Sequence, residues 1–85
     1  MTPLIFSQTA IFRLQRLGSQ YYHQTGERYR LANENGIVEL LQSSAAIRDP
    51  KVRSAYMAFL TELDKEQIDA LSERGVELQL PNTLH

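Results

Sequence analysis

The chain contains no cysteine and no tryptophan, and only two histidines. Without cysteine there is no disulfide to support the fold and no thiolate to ligate a metal or attack a substrate. His23 and His85 stand far apart, and neither lies in a metal-ligand spacing. No metal and no cofactor is expected. The four glycines are dispersed, so no glycine-rich loop is present to cradle a phosphate. Ser43, Ser44, Ser54 and Ser72 fall in neither a G-x-S-x-G nor an S-x-x-K context. The chain therefore reads as non-catalytic. No run approaches the ~20 apolar residues that cross a bilayer. The opening Met1–Ser7 stretch lacks the charged start of a secretory signal. A cytoplasmic location without a membrane partner is expected, and the lack of cysteine fits a reducing compartment.

What is present is enough for one domain. Residues 1–80 of the 85 read as a single unit, with 81–85 as a flexible tail beyond Pro81. A core of this size rarely supplies more than ~3–5 kcal/mol. With no disulfide or metal to add to it, close helix packing or a second subunit is needed, and a homodimer is expected. Charge divides unevenly along the chain. Residues 1–53 carry seven Arg and Lys against four acidic residues, and residues 54–85 carry two against six. The ordinary meaning of such a split is a set of solvated helix faces; the functional one is a basic pole open to an anionic partner.

Periodicity predicts an all-α fold, a small bundle of three to four short helices. The first begins near Thr2-Pro3 or at Ser7. Phe6, Ala10, Leu14, Leu17 and Tyr21 follow at helical spacing with Ile11 beside them, and Gly26 stands at the stop. The second is capped by Asn33 or Asn35 and runs to about Ile47, with Ile37, Leu41 and Ala45 on one face. Asp49-Pro50 opens the third, over residues 50–63, where Val52, Tyr56, Phe59 and Leu63 repeat at four, three and four. Asp64 caps the fourth with Gln67 in the capping-box position; Ile68 and Leu71 face inward, and Gly75 ends it. The alternative is an α+β fold with a two-stranded ribbon of residues 28–32 and 76–80, because Val76, Leu78 and Leu80 alternate with Glu77 and Gln79.

One segment concentrates binding chemistry. Three of the four tyrosines and two arginines fall within Tyr21–Arg30. Tyrosine rings offer stacking faces, and guanidinium forks match carboxylates and phosphates. Tyr22, His23, Arg28, Tyr29 and Arg30 are therefore the candidate partner-binding residues. Arg13 and Arg16, three apart on the first helix, would complete a patch of four arginines. The plainer meaning is that these tyrosines rim the core with arginines stacked over them. The expected function is a small regulatory module that binds a protein partner, or itself, through this surface. The alternative is weak binding of RNA or single-stranded DNA by the same residues, which a pI near 6.1 disfavours. Ile37-Val-Glu-Leu40-Leu41 has the pattern of a helical docking peptide, but in so short a chain those residues are needed for the core. His23 and Glu27 stand i, i+4 without a third ligand or a nucleophile.

Overall fold

Four helices make up the regular structure of a computed structural model that describes residues 2–79: α1 Gln8–Thr25, α2 Glu34–Ala45, α3 Pro50–Leu60 and α4 Lys65–Glu73. The fold is all-α. Among the described residues there is no strand, so the ribbon alternative does not form. Residues 76–79 find side-chain partners instead. Val76 is buried, Leu78 packs on the core, and the Gln79 N–H donates to the Tyr56 hydroxyl at 3.2 Å. Leu80 and the 81–85 tail lie outside the described residues.

The helix ends follow from their capping residues. Ser7 starts α1: its Oγ accepts the Ala10 N–H at 3.1 Å, satisfying one of the amides that a helix start leaves without a partner. Residues 2–6 are therefore an extended strap and not a first turn. Gly26 stops α1 at φ 76°, a conformation other residues adopt at a cost, and its N–H donates to the Tyr22 carbonyl. Asn33 caps α2 by position only, since its side chain makes no capping bond. The far end of α2 comes at Ala45, short of Ile47. Arg53 of α3 donates to the Ala45 carbonyl at 3.4 Å and so places a cation at that helix terminus.

Asp49 and Pro50 open α3 as expected, with Asp49 Oδ2 accepting the Lys51 and Val52 N–H groups. The helix closes at Leu60. Residues 61–63 turn away under bonds from Glu62 to Phe59 and from Leu63 to Leu60, which leaves Leu63 half-buried. Asp64 caps α4, but Gln67 does not return the bond. Its Oε1 accepts the Ile5 N–H, so it ties down the strap. Gly75 at φ 83° ends α4 in a Schellman turn: Gly75 N–H bonds Ser72 O, Val76 N–H bonds Leu71 O, and Val76 and Leu71 are both buried. Ala70 and Leu71 form the inward face of α4, and Ile68 is left at the rim.

Helix α3 is the centre. It packs most extensively on α1, less on α2, while α1 and α2 barely meet. Val52, Tyr56 and Phe59 have no exposed surface, and Leu14, Leu17, Tyr21, Leu40 and Leu41 close around them. Each large apolar side chain removed from water in this way is worth about 1.5–3 kcal/mol before chain entropy is subtracted. Phe6 adds an edge-on contact to Phe59, with ring centroids 5.5 Å apart. The strap is held by polar contacts. Thr2 N–H and Oγ1 donate to the two oxygens of Glu73, and Arg74 donates to the Thr2 carbonyl while its fork engages Glu34. Two ion pairs, Arg74–Glu34 and Arg13–Glu62, thus join the basic and acidic halves of the chain.

Candidate docking surface on α1 and the following loop

Because α1 and α2 barely meet, residues 26–33 must cover the gap between them. Tyr29 does so. Its ring lies 5.8 Å from that of Tyr21, and its hydroxyl bonds Ser43 Oγ of α2 at 3.1 Å. Gly36 makes the close approach possible: a Cβ there would overlap the Arg30 carbonyl. Tyr21 is buried, and burial, with the Tyr29 phenol next to it, pushes its own phenol above the ordinary value. The neutral hydroxyl donates to Glu27 Oε1 at 3.4 Å. Thr25 locks the corner, donating to Tyr21 O and accepting the Glu27 N–H.

The candidate residues separate into three groups. Tyr22 and Arg28 come together. The Arg28 guanidinium sits over the exposed Tyr22 ring, 4.4 Å from its centroid. His23 is exposed beside them, its ring 6.3 Å from that of Tyr22. Tyr29 and Arg30 serve the loop itself, the first through its hydroxyl and ring, the second through the backbone packed on Gly36. The Arg30 side chain is exposed.

Arg13 and Arg16 lie on another flank of α1, towards α3. Arg13 is paired with Glu62 at 3.4 Å, and Arg16 lines a cleft with Pro50, Lys51 and Ser54 of α3. The four-arginine patch does not assemble, because the helix turns these side chains away from the loop that carries Arg28. The His23–Glu27 pair does not form either. Gly26 breaks the helical geometry between them, and Glu27 accepts from Tyr21.

Beside Arg28 the surface is concave. A cleft of about 240 Å³ is lined by Gln15, Gly18, Ser19, Arg28, Tyr29 and Leu31. It adjoins a second, of about 460 Å³, in which Ile11, Leu14, Ile37 and the strap residues Leu4 and Phe6 face the same Gln15 and Leu31. Together they run along α1 from the strap to the Tyr22–Arg28 pair. Sequence reasoning missed this groove. Its one signal was Gly18, whose missing side chain leaves room above Leu40 and Leu31. Ile37, Leu40 and Leu41 of the docking-like pattern are buried in the core instead.

Among the described residues no group of three His, Cys, Asp or Glu side chains is placed to hold a metal ion, and no helix is long and apolar enough to cross a membrane. No protein-family model, curated protein or solved structure matches the chain.

Proposed function

We propose that this chain is a non-catalytic interaction module, which docks a segment of a protein partner along α1 with Tyr22 and Arg28 as its anchors. The observation that carries this reading is the Tyr22–Arg28 stack at the mouth of an apolar-floored groove. Arg28 has no carboxylate partner among the described residues, whereas Glu34 at the other end is already engaged by Arg74. The free cation at one end and the apolar floor between define the occupant: a short segment with aliphatic or aromatic residues and a carboxylate at the Arg28 end. Tyr and Arg are the residue types that dominate binding energy at interfaces. A groove with two aromatic or apolar walls and one guanidinium fork suits a carboxylate better than a chain of phosphates, which needs several cations in series to hold at physiological salt.

The test is selection of a random peptide library on the folded protein. Enriched peptides should combine apolar residues with Asp or Glu. Their affinity should fall by roughly 1–2 kcal/mol in Tyr22→Ala and in Arg28→Ala, with melting unchanged. Peptides without acidic character, or binding insensitive to both substitutions, would overturn the reading. Tight binding of single-stranded RNA with a steep loss on added salt would favour the nucleic-acid alternative. A mass that grows with protein concentration and reverts in Tyr22→Ala would identify a second copy of the chain as the occupant.

A further inference from the structure

The seam between α1 and α3 carries a cation at each of two levels, and only one is compensated. At Arg13 the charge meets Glu62. One turn further along α1, Arg16 and Gln20 face Pro50, Lys51, Ser54 and Ala55 across a cleft of about 350 Å³. No carboxylate lines that cleft. The nearest acidic side chain in sequence, Asp49, uses its Oδ2 to cap α3 through the Lys51 and Val52 amides. Arg16 and Lys51 make no ion pair among the described residues, and the side chains of Arg16, Gln20, Lys51 and Ser54 make no hydrogen bond there. Four donors from two helices thus border one open cleft, and two of them carry like charges with no opposite charge between them.

We propose that this cleft binds a single phosphate monoester group, with Arg16 and Lys51 supplying charge and Gln20 and Ser54 supplying neutral hydrogen bonds. The guanidinium of Arg16 matches two oxygens of a tetrahedral anion at once, and the Lys51 ammonium meets a third as a point charge. A monoester is favoured over a diester because near neutral pH it carries close to two negative charges for the two cations, whereas a diester carries one. Backbone amides at the start of α3 play no part, since Asp49 already occupies them. The site is separate from the Tyr22–Arg28 groove, and the two succeed or fail independently.

The experiment is a titration of the protein with glycerol phosphate at constant ionic strength, followed by amide resonances. The expected result is saturable shifts at Lys51 and Ser54 and at the Gln20 side-chain amide. Arg16→Gln and Lys51→Gln should each weaken binding at least ~10-fold, as loss of a charge-assisted contact does. Lys65→Gln, on α4 and outside the cleft, should leave it unchanged. Both cleft residues are exposed, so the variants should keep the wild-type melting temperature, and a melting curve of each is the control for folding. A dimethyl phosphate titration reads the charge requirement, and weaker binding is expected. Shifts that never saturate, that appear equally with added chloride, or that persist in both cleft variants would overturn the proposal. Tighter binding of the diester would overturn the monoester assignment.

Discussion

The α1–α3 seam and the loop from Gly26 to Asn33 lie on different flanks of α1, yet they are held by different physics. The seam is apolar and tightly packed: Leu14, Leu17, Tyr56 and Phe59 are all within 2% of complete burial. The loop is held by a few polar bonds and one backbone approach, through Tyr29–Ser43, Thr25–Glu27 and Gly36. The buried layer of the first arrangement gives stability and leaves no apolar surface for a partner; only the polar cleft at its rim, between Arg16 and Lys51, stays open. The second leaves Tyr22, Arg28 and a groove exposed, because Tyr29 bridges the gap between α1 and α2 only at one end and leaves clefts along α1 beside it. Binding capacity in so small a domain is found where packing is incomplete.

The comparison breaks first at the seam. Phe59→Ala removes a fully buried ring that also meets Phe6, and should cost ~3–5 kcal/mol, most of the stability of a domain this size. Denaturant unfolding of the variant reads that loss directly, and an unchanged midpoint would place the core elsewhere. Two glycines inside helices then sharpen the contrast with opposite signs. At Gly36 the ~1 kcal/mol that alanine normally adds to a helix is outweighed by overlap with the rigid Arg30 backbone. Gly36→Ala should therefore destabilise by about 1–3 kcal/mol and loosen the loop. At Gly18 an added Cβ would meet Leu40 at 3.6 Å and Leu31 at 3.7 Å, ordinary contact distances. Gly18→Ala should stabilise by about 0.5–1 kcal/mol while narrowing the groove. Thermal melts of the pair check both signs.

The smallest effect concerns the strap. Hydrogen bonds from the Thr2 N–H and hydroxyl hold the Glu73 carboxyl below its ordinary value. A lowered folded-state value means that the contact contributes in full above the ordinary glutamate range. The contribution is then lost as pH falls through the lowered value. Amide exchange of Thr2 and Ile5, corrected for intrinsic rates, should rise in that acid window in the wild type. In Glu73→Gln, Thr2 should already exchange fast at neutral pH.

Much of the fold was legible because its signals are local. Asp49-Pro50, Ser7, Gly26 and Gly75 act on their own helix ends, and the α3 stripe of Val52, Tyr56 and Phe59 needs only helical period to be seen. What misled were residues whose partners are distant in sequence. Gln67 reads as half of a capping box but is drawn to Ile5; the alternation of Val76 and Leu78 keeps a ribbon open as the alternative, yet both pack against helices. The candidate site divides along the same line. The proximity of Tyr22 and Arg28 follows from a tight turn at Gly26 and could be anticipated. The separation of Arg13 and Arg16 from that turn depends on which flank of α1 meets α3, and the groove depends on how little α1 meets α2. Neither is written in any short stretch of sequence.

The central claim is that docking and folding are separable in this molecule, and one double substitution tests it. Tyr22→Ala with Arg28→Ala should leave the melting temperature within the change expected of surface residues, about ±0.5 kcal/mol each, while abolishing measurable binding of a library-selected acidic, apolar peptide. A double variant that melts well below the wild type, or that still binds the peptide with undiminished affinity, would contradict the account.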